Sequence, residues 1–168
     1  MDDAFDALEQ GQVINGPSFS VSRESIREFC EASLDFNPLH WDDEYMKSSF
    51  GKTKFDGIIM HGMTNFGLIT RMLTDWLYPL GGVQRRLETR WKMPVKPGDS
   101  IQPVARIARK KETRTGRWVV LDIGVKNQRG EHARRQPLAT GRAGSRTGNR
   151  LGRRSTSRRS GAPPWFFG

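Results

Sequence analysis

Asp35 and His40 are the two side chains of this sequence whose types and spacing best suit proton-transfer chemistry. Carboxylates and imidazoles are the groups that most often act as general acids and bases. The segment between them contains Asn37-Pro38, which disfavours helix for the asparagine and forces an irregular turn. This turn can bring both side chains to one point. Taken singly, the aspartate would more often be a turn residue and the histidine a partly exposed polar residue.

The helices around this pair are predicted from capping and hydrophobic periodicity. Ser22 is placed as the N-cap of an amphipathic helix, in which apolar residues of the segment 26–33 fall at helical spacing. A short helical stretch is expected from Asp42 to about Ser49. From His61 to about Leu80 the apolar residues cover more than one face of a helix, so we expect this helix to be surrounded by other elements.

The pattern changes to a period of two after Gly81-Gly82. Apolar and polar residues alternate over 83–95, with Arg85 as the one exception, and predict one long half-buried strand. Two further strands are predicted over 101–110 and 119–125, with a turn between them. Antiparallel strands that follow one apolar helix predict an α+β fold, in which a twisted sheet wraps around the buried helix.

Three motifs stand in a fixed order along the chain. Residues 35–40 read Asp-Phe-Asn-Pro-Leu-His, His61-Gly62-Met63 precedes the apolar helix, and an aromatic followed by Pro-Val-Lys-Pro-Gly-Asp occupies 91–99. These motifs resemble the D-x-N-P-x-H, His-Gly-Met and P-V-x-P-G-D segments of the MaoC-like dehydratases and (R)-specific enoyl-CoA hydratases. Three landmarks in the family's order are far more specific than one hexapeptide. The resemblance implies a hot-dog fold, an antiparallel sheet wrapped around a long central helix.

The resemblance also implies an activity and the residues that carry it. The protein would be a hydro-lyase that adds water reversibly, with (R) specificity, to a 2-enoyl thioester and forms a 3-hydroxyacyl thioester. Asp35 would activate the water, His40 would hand a proton to C2, and the backbone N–H of Gly62, at a helix N-terminus, would hold the charge on the thioester oxygen. Supporting or substrate-binding roles are expected for Asn37, His61, Met63 and Thr70.

We expect few partners beyond the substrate. The acyl group would be carried by coenzyme A or acyl carrier protein, and no other cofactor is expected. Cys30 is the single cysteine, and no Cys/His cluster has zinc-ligand spacing, so no metal site is expected. The resemblance implies a homodimer, or a heterodimer with a related hot-dog chain, because family sheets join edge to edge. Polar interruptions of the most apolar stretch exclude a membrane span, and the acidic start lacks a secretory pattern, so a cytoplasmic location is expected.

The net charge of +10 is concentrated at the end of the chain. Nine arginines and no acidic residue lie from His132 onward, which leaves nineteen basic against eighteen acidic residues elsewhere, so a nucleic-acid partner is not indicated. We expect a MaoC-like hot-dog domain over 1–143 and a disordered Arg/Ser/Gly-rich tail over 144–168. Pro137 interrupts the last expected strand, because proline cannot donate to a central ladder. A shifted reading frame is the favoured explanation of this end, and a disordered extension that binds anions is the alternative.

Two other functions are weighed against hydration. A hot-dog acyl-CoA thioesterase would use an acid on the central helix, where only Asp75 is available, late in the helix and on its polar stripe. A non-catalytic partner subunit of a heterodimeric hydratase, or an RNA-associated protein, would rely on the basic tail for binding. The Asp35/His40 motif favours hydration over the thioesterase. Deletion of residues 144–168 would separate the third function, because it should abolish binding and leave catalysis intact or improved.

Overall fold

The computed structural model describes residues 4–50, 55–114, 116–130 and 136–143, with the backbone alone at 49–50 and 136–143. The predicted tail at 144–168 lies outside the described residues. The elements follow the chain in the order β1 (Val13–Asn15), β2 (Phe19–Ser20), α1 (Arg23–Ser33), α2 (Asp43–Tyr45), α3 (Gly62–Leu77), β3 (Gly82–Leu87), β4 (Ser100–Thr113), β5 (Gly116–Asn127) and β6 (Gln136–Ala143). A 3₁₀ turn at Pro38–His40 precedes α2, and a π-helical turn at Met46–Phe50 follows it.

One antiparallel sheet contains all the strands. Its order is β1-β4-β5-β6-β3, and β2 also pairs with β4. The strands predicted over 101–110 and 119–125 are confirmed and are longer than predicted, because β4 and β5 form a continuous hairpin. Arg85, the exception to the alternation, coincides with a register shift between Gln84 and Arg86 in the β3–β6 pairing. An extra residue at a bulge changes which face the following side chains occupy.

The strand predicted over 83–95 is wrong in its second half. β3 ends at Leu87, and the following residues up to Asp99 form no strand. Pro94 and Pro97 remove two N–H donors from this stretch, and β3 lies at an edge of the sheet, where only one side offers a partner. The carbonyl of Val95 instead accepts a hydrogen bond from the N–H of Met60, at 2.8 Å. The segment therefore crosses toward the residues that precede α3.

Pro137 does not exclude β6 from the sheet interior. The strand pairs with β5 on one side and with β3 on the other. The β5–β6 register shifts between Leu121 and Asp122, whose partners are Ala139 and Pro137, so one residue beside the proline is left out of the pairing. A bulge at this point tolerates the missing N–H, because the ladder is already interrupted there. The expectation that proline would prevent a central strand is corrected.

Helix α3 packs against the sheet along one face. Its buried apolar side chains join those of β4 and β5 in one core, to which α3 contributes Ile69, Met72, Leu73 and Leu77. The opposite side, which includes Gly67, Arg71 and Asp75, is exposed. Helical spacing thus predicted the helix correctly. In the described part of the single chain, however, other elements do not surround the helix as predicted. Arg71 and Asp75 form the surface ion pair expected from their spacing, with 3.7 Å between Nε and Oδ2.

Helix α1 leads into the candidate site and begins as the sequence predicts. Ser22 is its N-cap, and a reciprocal hydrogen bond with Ser25 completes a capping box. Ile26 and Cys30 form its buried side. The helix ends at Leu34, which adopts a left-handed conformation with φ 60° and is 79% exposed. This conformation costs a non-glycine residue about 1–2 kcal/mol, and it turns the chain immediately before Asp35.

Candidate active site

Asp35 and Asn37 are held by hydrogen bonds within their own turn. The Asp35 carboxylate accepts a hydrogen bond from the N–H of Asn37 at 3.2 Å, and the Asn37 carbonyl oxygen accepts one from the N–H of Leu39 at 3.3 Å. Asn37 is thereby the cap of the 3₁₀ turn that begins at Pro38. The predicted supporting role of Asn37 is therefore a structural one in this turn, and Asp35 keeps a side chain that is 53% exposed.

His40 ends the 3₁₀ turn and is buried, with 8% of its surface exposed. Its Nδ1 lies 2.7 Å from the carbonyl oxygen of Ile59. Because a carbonyl only accepts, Nδ1 carries the proton and Nε2 of the neutral ring is left as an acceptor. Burial lowers the pKa of His40 below its ordinary value of 6.5, and His61 lowers it further, against the raising effects of the Ile59 hydrogen bond and Asp35. The neutral, proton-accepting form is favoured.

His61 lies between the two expected catalytic residues. Its ring stacks on that of His40 with 3.6 Å between ring centroids. Its Nε2 lies 3.1 Å from the backbone oxygen of Asp35 and 4.0 Å from the Asp35 carboxylate. Cys30 Sγ is 3.7 Å from the same nitrogen, and burial raises the pKa of the thiol. His61 therefore does more than begin α3, because it contacts both members of the pair.

The three side chains Asp35, His40 and His61 also form the set that could hold a metal ion. One ligand atom from each lies within 4.8 Å of the other two. Two imidazoles and a carboxylate suit a divalent transition metal. The two rings, however, stack almost parallel, with 22° between their planes, and an ion bound to both would lie well outside the plane of at least one ring. In-plane lone pairs at close range instead suit one shared water molecule.

Gly62 begins α3 beside this cluster. In the part of the chain that the structure describes, its backbone N–H has no acceptor, as is usual for the first residue of a helix. The indole of Trp91 lies against it, since a Cβ added to Gly62 would be 2.7 Å from Trp91 Nε1. Gly62, His40 and Trp91 line a cavity of about 210 Å³. Trp91 is thus a cavity residue.

The remaining predicted residues differ in their relation to the cavity. Met63 is exposed beside Gly62, and its side chain is not among those that line the cavity. Thr70 does not line the cavity either, and its buried hydroxyl has no hydrogen-bond partner in the described ranges of the chain. Asn65 lies on the cavity instead. The sequence signal for Asn65 is its polarity within an apolar helix, three positions after Gly62.

The fold and the cluster together match one family of proteins. The sequence profile of the MaoC-like domain matches residues 6–128. This chain belongs to the MaoC-like dehydratase family. The MaoC-like domain therefore includes α1, the turn from Asp35 to His40, α3, β4 and β5, but the matched region ends before β6.

The curated relatives of the MaoC-like domain are hydratases and dehydratases. An (R)-specific enoyl-CoA hydratase from Rhodospirillum rubrum is 29% identical over 97 residues, which are 58% of this chain and 64% of that protein. A mitochondrial 3-hydroxyacyl-[acyl-carrier-protein] dehydratase from Arabidopsis thaliana is 31% identical over 93 residues, which are 55% of this chain and 52% of that protein. The matched region thus spans between half and two thirds of the length of these relatives. The MaoC-like domain is thus similar to parts of a hydratase and a dehydratase.

Solved structures confirm the hot-dog fold. The unliganded R-hydratase PhaJ1 from Pseudomonas aeruginosa has a TM-score of 0.68 and 26% identity, with 83% of this chain and 84% of that chain covered. The ChsH1–ChsH2 complex from Mycobacterium tuberculosis has a TM-score of 0.64 at 17% identity, with 80% of this chain and 98% of that chain covered, and it shares the fold alone. Among the described helices, none is long and apolar enough to span a bilayer.

Proposed function

We propose that this MaoC-like domain is a hydratase that adds water reversibly to 2-enoyl thioesters and forms (R)-3-hydroxyacyl thioesters. The observation that carries the proposal is that Asp35 lies beside His40, which lines one cavity together with Gly62. The carboxylate of Asp35 lies within 4.8 Å of a ring nitrogen of His40, and both His40 and Gly62 line the cavity. One water between a carboxylate and an imidazole can hydrogen-bond both, because two such bonds together span about 5 Å.

The protonation state of His40 supports different roles for Asp35 and His40. Its Nε2 has no proton in the neutral ring, so it accepts one from the water while the water oxygen adds to C3. The same proton then passes from the imidazolium to C2 on the same face of the alkene, and His40 returns to its neutral form. Asp35 holds the water and stabilises the transient positive charge of the ring. This differs from the expectation that Asp35 takes the water proton, and the reason is the hydrogen bond between His40 Nδ1 and the Ile59 oxygen, which leaves Nε2 as the acceptor.

The backbone N–H of Gly62 supports the third part of the proposal. As water adds to C3, electron density moves through C2 to the thioester oxygen, which becomes negative. An N–H at the first position of a 16-residue helix stabilises this charge, both as a donor and through the helix dipole. The substrate is an acyl thioester of coenzyme A or acyl carrier protein, and the chemistry requires no other cofactor.

A dimer is part of the proposal. β3 is an edge strand, and within the described part of the chain it pairs with β6 alone. Two groups of large apolar side chains are exposed. Phe36, Trp41 and Met63 are next to the catalytic residues in sequence, and Trp91 and Met93 line the cavity. Edge strands and apolar patches of this kind usually meet a partner. A second copy, or a related hot-dog chain, is the proposed partner, and the cytoplasmic location stays a prediction.

A substrate assay separates hydration from the alternatives. The protein should remove the enoyl absorbance of crotonyl-CoA or a longer enoyl-CoA without releasing free thiol, whereas a thioesterase would release thiol from butyryl-CoA. The position of Asp75 supports hydration, because this carboxylate is exposed and paired with Arg71. A chain truncated after residue 143 should keep its hydratase activity. Loss of activity against every enoyl-CoA and enoyl-acyl carrier protein, in the full chain and with its partner, would contradict the proposal.

A further inference from the structure

Asn65 is a buried polar residue that the fold itself does not explain. It lies in α3 among apolar neighbours and is 8% exposed. Its carbonyl oxygen Oδ1 is enclosed and has no hydrogen-bond partner among the residues that the structure describes. An unpaired buried amide costs about 1–3 kcal/mol, and an apolar side chain of the same size would avoid this cost. The side chain is therefore not accounted for by stability.

The position of Asn65 points to the site. It follows Gly62 by three residues, so the two lie on the same side of α3, about one turn apart. Asn65 lines the cavity of about 210 Å³ together with His40 and Gly62. It also lines a second cavity of about 70 Å³, whose walls include the apolar residues Ile69, Ile101 and Val125. Asn65 thus lines both cavities, as do the residues 91–95.

The group of the Asn65 side chain that can donate hydrogen bonds is its NH₂ group. Asn65 lines both cavities, and Oδ1, not Nδ2, is the atom of its amide that is fully enclosed without a partner among the described residues. We propose that Nδ2 of Asn65 is a second donor to the thioester oxygen, beside the backbone N–H of Gly62. This inference rests on the proposed hydratase function. It assigns a catalytic role to a residue of α3 that the sequence motifs did not identify. Thr70, the residue of this helix expected near the site, does not fill this role.

A second donor at this place adds to the stabilisation of the enolate oxygen. An enolate oxygen carries more than one lone pair, and a single N–H leaves part of the developing charge unsolvated once the substrate has displaced water. When water adds to C3, the electron pair of the C2–C3 bond shifts to form the enolate, and both donors bind its oxygen. When C2 takes the proton from His40, the pair returns and the carbonyl is restored. Asn65 exchanges no proton in this cycle.

Replacing Asn65 separates a catalytic role from a structural one. Asn65→Leu, close in size, should lower kcat for crotonyl-CoA hydration about 100-fold with KM nearly unchanged, because removal of one such donor typically costs about 10²–10³ in kcat. The thermal midpoint of the variant should equal or exceed that of the unmodified protein, since an unpaired amide is removed. Asn65→Asp should be at least as inactive, because it offers a carboxylate to the enolate oxygen.

The experiment distinguishes a failure of the inference about Asn65 from a failure of the proposed hydratase function. Asn65→Ala provides the same test if leucine does not fit, and Gly67→Ala, on the exposed side of α3 with open space around it, is the control that should keep full activity. If the unmodified protein hydrates crotonyl-CoA and both Asn65→Leu and Asn65→Ala retain kcat within about threefold, the role of Asn65 is overturned and the hydratase stands. If the unmodified protein hydrates no enoyl thioester, the proposed function fails and this inference fails with it.

Discussion

Gly62→Ala is expected to reduce catalysis while leaving the stability of the fold almost unchanged. The new Cβ would lie 2.7 Å from Nε1 and 2.9 Å from Cε2 of Trp91, closer than van der Waals contact allows. Overpacking of this kind costs about 1–3 kcal/mol in a core. Trp91 is 46% exposed, so its indole can shift and the cost should fall at the low end. The higher helix propensity of alanine should stabilise the fold by up to about 1 kcal/mol relative to glycine.

The two contributions nearly cancel, so the free energy of unfolding should change by no more than about 1 kcal/mol, or about 2–4 °C in thermal midpoint for a chain of this length. The expected effect on catalysis is much larger. The methyl group and the displaced indole of Trp91 both occupy space that the thioester oxygen needs, so kcat/KM for crotonyl-CoA should fall at least about 100-fold. This fall corresponds to about 2.7 kcal/mol of transition-state stabilisation.

Circular dichroism during heating and the hydration assay measure the two effects separately. Gly67→Ala is the matched control, because its Cβ would meet no atom within 4 Å; it should be slightly more stable and fully active. Adding Trp91→Ala to Gly62→Ala should restore part of the activity if the displaced indole is the obstacle. A Gly62→Ala variant that keeps kcat/KM within about threefold would refute the reasoning that the thioester oxygen binds at this helix end.

Two further predictions concern His40 and Leu34. Because burial lowers the pKa of His40, the acidic limb of the kcat/KM profile should have its midpoint below 6.5: activity needs the neutral ring and is lost as pH falls through the lowered pKa. A midpoint above 6.5 would contradict this. The same shift should reduce the free energy of unfolding as pH falls below 6.5, because the unfolded chain then binds more protons. Leu34→Gly should raise that free energy by about 0.5–1 kcal/mol in urea titrations, since φ 60° suits glycine; a lower value would show that the Leu34 side chain contributes contacts.

Local patterns predicted the local elements well. Ser22 and the periodicity after it predicted α1, and the alternation in β4 and β5 predicted the hairpin, because these features depend on residues that are close in sequence. The exception at Arg85 already indicated the register shift in β3. The end of β3 at Leu87 could not be predicted in this way, since it depends on which strand lies next to it.

The site was predicted only as far as the motifs reach. Asp35, His40 and Gly62 could be named from their segments. The stacking of His61 on His40 and the contact of Trp91 with Gly62 depend on how distant segments pack, over 21 and 29 residues of sequence. Thr70 was chosen by counting along a helix, which does not show which residues face the cavity. Asn65 emerged only when burial and cavity lining were known.

The central claim is that Asp35 and His40 share one water in the transition state of hydration. Its most direct test is the steady-state hydration of crotonyl-CoA by Asp35→Asn, His40→Gln and the double variant, alongside the unmodified protein. Each single change should remove most of kcat with KM nearly unchanged, and the double variant should be little worse than the worse single variant, because the loss of either group already disables the addition of water. Near-normal kcat in both single variants, for every enoyl thioester that the unmodified protein accepts, would contradict the account.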